Sequence, residues 1–289
     1  MIIQYLNYTH ILTLLATAAL IAAFYFLLRN HSVLAKEIAL YSLMGFNVTQ
    51  HFFKFFFWPH MWGAGFGIEN TAYNVCAILI IASPFVFVTK NTVLKQYMAY
   101  VGSIGPALAL IIPYWFIGKT IFDWEFLRFW TCHALLVATS LLPALWGFVK
   151  FNFHDGWKFG LIFLVMQALI LLNDTIFLLV LGYATKETLY TALLIQNPLM
   201  IIAPSEGARK FKIFFEILSP HFLLETKSHP YIPILWYAVP VYVYITAIAY
   251  MLGCSIDRRW LKSDKLPLKR HHACGQDCTV YKHDRIQGY

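Results

Sequence analysis

The sequence predicts an all-α, polytopic membrane protein, a bundle of about seven transmembrane helices. Three observations carry that expectation. Hydrophobic residues make up 60% of the chain and charged residues 12%, where a soluble domain carries roughly 25% charged residues. Apolar runs close to the ~20 residues needed to cross a bilayer recur along the chain. The links between most of these runs are short and contain Trp, Lys and Arg, the residues that mark membrane boundaries.

In order, the spans are expected at His10–Leu28, Glu37–Phe57, Thr71–Val88, Leu94–Phe116, Trp124–Val149, Trp157–Tyr183 and Tyr231–Gly253. The first reads as a helix of the mature protein and not as a signal peptide, because Met1 to Thr9 holds no Lys or Arg and no clear cleavage site follows. The apolar stretch Thr191 to Ile202 is too short to span and is interrupted by Pro198, with Pro204 beyond it, so it is expected to be interfacial or re-entrant. Phe211 to Leu224, with Lys212 and Glu216 four apart, reads as an amphipathic surface segment. Residues 1–254 then form a seven-helix membrane domain and 255–289 a basic, disordered tail. Trp58, Trp62, Trp115, Trp124 and Trp157 fall near span ends, as an aromatic belt does.

Charge sets the expected orientation. Arg29 and Lys36 follow the first span, the link from Trp58 to Asn70 has no Lys or Arg, Lys90 follows the third span, Lys119 lies in the fourth link, and Lys150 and Lys158 flank the fifth. The long sixth link, which would lie outside, holds Lys186, Arg209, Lys210, Lys212 and Lys227, and the short links decide. This alternation predicts an outer N-terminus and a cytoplasmic C-terminus, in a plasma membrane. The net charge of +8 comes largely from the tail, where anionic lipid headgroups are the expected partner. No nucleic-acid module is visible. No internal repeat is evident, which weakens a transporter built from inverted halves.

Polar residues inside the spans are the candidates for function, since such groups are costly in lipid and normally face a partner or a cavity. Asn47, Gln50, His51 and Lys54 are spaced as one stripe on a helix. The stripe is either the wall of a substrate cavity or a hydrogen-bonded seam between helices. Asn70, Asn74 and Cys76 open the third span, and Cys76 lies about 200° round from Asn74. Asp123, Glu125, Arg128, Cys132 and His133 open the fifth span, and Gln167, Asn173 and Asp174 lie in the sixth. Asp174 needs a partner, with His133, Lys54 or Arg128 as candidates. Counted from the expected span ends, His51, Cys76, His133 and Asn173 share one layer in the outer half of the bilayer.

That layer permits nucleophilic chemistry. A histidine beside a cysteine holds the reactive thiolate, which can take an acyl group from an ester as a thioester. The same histidine can then activate an accepting hydroxyl. Asn74, Asn173 or Gln50 would stabilise the oxyanion, and Asp174 would orient the histidine. A cysteine taken alone is more often a small buried hydrophobe, and a membrane histidine as often a packing group.

Short strings between Tyr73 and Asp174 add to this: Tyr73-Asn74-Val75-Cys76, Tyr100-Val101-Gly102 with Gly105, Ile112-Pro113, Gly118-Lys119, Arg128-Phe129 with Cys132-His133, and Leu172-Asn173. In these the chain resembles the YwaF-like integral membrane family and, more distantly, the animal transmembrane protein 164 family. The resemblance implies a seven-span acyltransferase of phospholipid or lysophospholipid acyl chains, with Cys76 as nucleophile and His133 as its partner. Departures from the pattern are Asn70-Thr71-Ala72, where members often have Leu-Pro, and Asn74, where many have His. The substrate-binding set is Asn74, Asn47, Gln50, His51, Arg128, Asn173 and Asp174, and neither a cofactor nor a metal is expected. The alternatives are a transporter or small-ligand-binding protein with an intramembrane polar cavity, and a non-catalytic scaffold.

Three minor motifs remain. His271, His272, Cys274, Cys278 and His283 cluster in the tail, but Cys-x3-Cys is not a standard zinc spacing. Cys254, at a span end, is a candidate for palmitoylation. Asn7-Tyr8-Thr9 fits a glycosylation sequon.

Overall fold

The computed structural model describes residues 1–59, 67–113, 116–196, 202, 203, 213, 216–225 and 230–263. Trp62, Trp115, Lys212 and the tail Cys/His cluster lie outside these residues. All regular structure among the described residues is helical, apart from one isolated antiparallel bridge between Ile2 and Thr120.

The helices are α1 (Tyr8–Leu28), α2 (Val33–Phe52), α3 (Lys54–Phe57), α4 (Val75–Val88), α5 (Thr92–Gln96), α6 (Ile104–Ile111), α7 (Trp124–Leu145), α8 (Lys158–Val180), α9 (Leu189–Gln196) and α10 (Leu235–Ser263). Their starts follow capping chemistry. Asn7, Ser32, Asn74, Asn91 and Asp123 each accept a backbone N–H in the first turn of the helix they precede. Five stretches of described helix are long and apolar enough to cross a membrane: Tyr8–Leu28, Ile68–Val88, Trp124–Leu145, Lys158–Val180 and Leu235–Gly253.

Two of the expected spans differ from that description. α2 is 20 residues long but is not among the five, because Lys36, Glu37 and the polar stripe lower its hydropathy. It also ends at Phe52, where Phe53 leaves helical geometry, and restarts as the four-residue α3. The expected span Leu94–Phe116 is not one helix. It runs as α5, a π turn over Tyr97–Val101, a break at Gly102-Ser103, and α6. A Cβ on Gly102 would sit 2.7 Å from the Met98 carbonyl oxygen. The glycine lets the chain close the wide π turn, a geometry often found at functional sites.

Contacts between helix ends order the bundle. At one end, Ile3 exchanges backbone hydrogen bonds with Gly118 and Lys119, while His10 Nε2–H donates to the Leu110 carbonyl at 2.9 Å and Nδ1 accepts from Leu6 N–H. At the other end, Gln96 bonds Asn152 and Asp155, and Tyr250 donates to Phe153. The N-terminal segment and the α6–α7 link therefore share one end. The end of α5, the α7–α8 link and the part of α10 around Tyr250 share the opposite one.

α7 is the central helix, with 61% of its apolar window buried against protein, whereas α1 buries 6% and leaves Leu12, Leu15, Phe26 and Leu27 exposed. α7 packs on α1, α2, α4 and α6, and α8 packs on α10, α9 and α4. The core between them is built from Leu40, Met44, Leu79, Leu136, Phe159, Ile170 and Trp236, all nearly or fully buried. Trp130 pins α1 by donating to Thr17 Oγ1 at 3.0 Å. α8 and α10 approach closely at Gly160, where a Cβ would meet Tyr242 Cδ2 at 2.5 Å. Small residues at such crossings are the usual device for helix contact in lipid.

The sequon of Asn7 is committed to structure. Asn7 Nδ2 donates to the Ile2 carbonyl at 2.7 Å, its Oδ1 caps α1, and Thr9 is buried.

Candidate functional site

The polar residues of α2 and the start of α3 do face the protein. Asn47, Gln50, His51 and Lys54 are all buried, with Gln50 and Lys54 essentially without exposure. Asn47 Nδ2 donates across to the Cys132 carbonyl on α7 at 3.2 Å, and Gln50 Nε2 donates to Asn47 Oδ1 at 2.7 Å. His51 Nε2–H donates to the Thr71 carbonyl at 3.0 Å. Asn70 Nδ2 returns a bond to the Phe52 carbonyl at 3.0 Å, satisfying an acceptor freed by the break after α2. Lys54 Nζ donates to the Glu69 carbonyl and lies 5.5 Å from the centroid of the Tyr73 ring.

From α8, Asn173 Nδ2 reaches Thr71 Oγ1 at 2.9 Å and also donates to Asp174 Oδ1 at 3.0 Å. Thr71 thus ties α2 and α8 to the entry of α4. Asp174 is buried, but among the described residues its hydrogen-bond partner is its neighbour Asn173 and not His133, Lys54 or Arg128. His133 is oriented otherwise. Its Nδ1–H donates to the Phe129 carbonyl at 2.7 Å, and its ring rests on Phe129 at 4.3 Å between centroids. A carbonyl only accepts, so Nδ1 carries the proton and Nε2 keeps its lone pair. Nε2 has no hydrogen-bond partner among the described residues.

Cys76 stands at the start of its α-helix. α4 begins at Val75, so Cys76 is the second residue of the helix and not a residue a turn and a half inside it. Asn74 is the cap: its Oδ1 accepts from Ala77 N–H at 2.8 Å. That oxygen is committed to the backbone, and the side chain holds the first turn in shape. The N–H groups of Val75 and Cys76 make no hydrogen bond among the described residues. They are two of the four donors that every helix start leaves free. Cys76 is half-buried and packs on the core, and Cys132 lies within its electrostatic reach. No hydrogen bond joins Cys76 to His133 among the described residues.

Arg128 lies on α7, one turn before Cys132. Its charge reaches His51, Lys54, Tyr73, Cys132 and His133. Its Nε is buried and without a hydrogen-bond partner, as is Gln50 Oε1. From sequence, no role falls to the side chains of Thr71 and Tyr73, to Glu69 or to the free N–H groups of α4. The signal for the last was present, since an Asn directly before an apolar helical run is a cap. No group of three or more His, Cys, Asp or Glu suited to a metal exists among the described residues.

Comparison with known proteins adds one positive finding. The model of the TMEM164 family matches residues 5–187, more than half of the 289-residue chain, and this stretch contains every residue of the layer described above. No curated protein and no solved structure matches.

Proposed function

From the premise that the chain belongs to the TMEM164 family, we propose that it is an integral membrane acyltransferase, of the YwaF-like branch, that moves acyl chains of phospholipid or lysophospholipid through Cys76 and His133. The observation that carries this reading is the position of Cys76 at the second residue of a capped helix, inside the polar layer, beside two uncommitted backbone N–H groups. A helix start bears a partial positive charge and donors aimed outward, which favours negative charge developing on a sulfur or an acyl oxygen there.

The chemistry follows from these groups. The Cys76 thiol gives its proton to His133 Nε2, and Sγ attacks the ester carbonyl. The tetrahedral oxyanion takes hydrogen bonds from the Val75 and Cys76 N–H groups. As the C–O bond breaks, the lysolipid oxygen recovers the proton from His133 and leaves the acyl group on Cys76 as a thioester. An accepting lysolipid hydroxyl then gives its proton to Nε2 and attacks the thioester, restoring the thiol. Phe129 holds His133 in the tautomer this cycle needs. In this reading membrane lipids are the partners and the basic tail meets anionic headgroups. The chain crosses a plasma membrane seven times, counting α5 to α6 as one broken crossing, with its N-terminus outside. The alternation of helix ends supports that count.

Transfer of a labelled acyl chain from phospholipid to lysophospholipid by the purified chain in nanodiscs tests the reading. Cys76→Ala and His133→Gln are expected to lose roughly 10²–10⁴-fold in turnover. Unchanged turnover in Cys76→Ala would refute it. One rival has an observation behind it: Asn47, Gln50, His51 and Asn173 are all hydrogen bonded to neighbouring elements or to one another, as a scaffold seam requires. A scaffold would show no acyl transfer at all.

A further inference from the structure

We propose that Lys54 and Arg128 form an anion site that takes the phosphate group of the substrate, a proposal that rests on the acyl-transfer reading and names what anchors its lipid. Lys54 is one of the largest fully buried side chains in the protein. Its ammonium has a backbone carbonyl and a tyrosine face for company, and no carboxylate within ion-pair distance among the described residues. Arg128 stands one turn of α7 before Cys132, whose carbonyl Asn47 of α2 holds, so the segment that carries Lys54 runs alongside it. Its charge acts on Lys54, and it makes no hydrogen bond among the described residues, with its Nε buried. The acids nearest in sequence are committed elsewhere: Asp123 caps α7 and Glu125 pairs with Lys119. Glu69 is the carboxylate whose charge reaches Lys54, from a distance beyond an ion pair.

Two like charges near one another, one of them fully buried, repel more strongly than they would in water. Such a pair is stable when an anion lies between them, and a phosphate fits both donors, since guanidinium and ammonium groups are the usual phosphate ligands. The site also stands where the lipid needs it. Lys54 Nζ lies 5.5 Å from the centroid of the Tyr73 ring, and Tyr73 stands three residues before Cys76 at the entry of α4. A glycerophospholipid carries its esters a glycerol's length from its phosphate, so a headgroup held at Lys54 and Arg128 leaves an ester free to approach Cys76. Phe53, Phe56 and Phe57 stand exposed around Lys54, where acyl chains or bulk lipid would cover them.

The test is binding, so it is independent of turnover. The full chain in dodecylmaltoside is heated with inorganic phosphate, with dihexanoylphosphatidylglycerol, or with dihexanoylglycerol, which lacks the phosphate, at constant ionic strength. The phospholipid is expected to raise the melting temperature and dihexanoylglycerol is not. Arg128→Gln and Lys54→Met are expected to weaken the apparent affinity at least about tenfold, while Cys76→Ala keeps it. Arg128→Gln removes no hydrogen bond among the described residues, so the test stands even if Lys54→Met loses stability with its bond to Glu69. Stabilisation by the phospholipid above free phosphate assigns the site to a headgroup, and stabilisation by free phosphate alone assigns it to the soluble ion. Equal stabilisation of both variants and the native chain, or no stabilisation by either anion, would overturn the proposal. If Cys76→Ala still transfers acyl groups, the acyl-transfer reading fails while the anion site stands.

Discussion

Asn74 offers a sharp separation between a side chain that shapes the site and one that acts in it. Its Oδ1 accepts from Ala77 N–H at 2.8 Å, and Cys76 lies inside the turn so closed. Replacing a capping Asn by Ala costs about 0.5–2 kcal/mol, and by Ser little, because Ser caps as well. Where water is scarce, an orphaned N–H costs about 1–3 kcal/mol, so Asn74→Ala belongs in the upper half of the capping range. About 1–2 kcal/mol corresponds to a factor of roughly 5–30 in the population of the ordered first turn, and to a melting shift of roughly 2–4 °C per kcal/mol for a chain of this order. The assay is a series of Asn74→Ala, Asn74→Ser and Asn74→Gly in thermal denaturation, paired with the rate of Cys76 labelling by a maleimide. Asn74→Ser is expected to match the native chain in stability and Asn74→Ala to fall by several degrees, with Gly between them. If Asn74→Ser loses all acyl transfer while keeping native stability, the amide itself acts on the substrate and the capping account of the residue is refuted.

Three further outcomes test the packing that holds the site. Asp155, in the α7–α8 link, is held below the ordinary carboxylate range chiefly by the hydrogen bond from Lys158, with Gln96 and Asn152 adding to it. Its stabilisation is therefore complete above the unfolded carboxylate pKa of about 4 and is lost as pH falls through the lower folded value. Asp155→Asn should melt below the native chain at pH 7, and the gap should close under acid conditions. Gly160→Ala should cost about 1–3 kcal/mol by overpacking against Tyr242, read as a fall in melting temperature larger than that of an alanine at lipid-facing Leu161. A double-mutant cycle of Trp130→Phe and Thr17→Val should return a coupling near ~0.6 kcal/mol, the average for such bonds in lipid, and zero coupling would remove this pin between α1 and α7.

Much of the bundle was legible because lipid imposes simple rules. Long apolar runs in the segments containing Leu12, Leu164 and Val241 announce helices by length and hydropathy alone. The burial of Asn47, Gln50, His51 and Lys54 was legible for the same reason, since a polar stripe has one inexpensive direction to face. Hydropathy was blind to the break at Gly102-Ser103, because it measures how apolar a segment is and not how its backbone hydrogen bonds run. Counting from the apolar run missed that the α-helix begins only at Val75, since its start is set by the Asn74 cap and not by the first apolar residue. The partner of His133 was out of reach for another reason. Its Nδ1 is held by the carbonyl of Phe129, and every residue has a carbonyl, so no side-chain pattern marks it. The expected partner of Asp174 was His133, Lys54 or Arg128, because a buried carboxylate calls for a cation; the hydrogen bond it receives comes instead from the neutral amide of its neighbour Asn173.

The measurement that bears most directly on the central claim is the identity of the acylated residue. Purified protein is incubated with phospholipid carrying an isotopically labelled acyl chain, quenched in acid, digested and read by mass spectrometry with and without hydroxylamine. The account predicts a hydroxylamine-sensitive acyl thioester on Cys76, absent in Cys76→Ala together with transfer, and accumulating when the acceptor lysolipid is withheld. A thioester on Cys132 instead, or continued transfer in Cys76→Ala with no acyl group on Cys76, would contradict it.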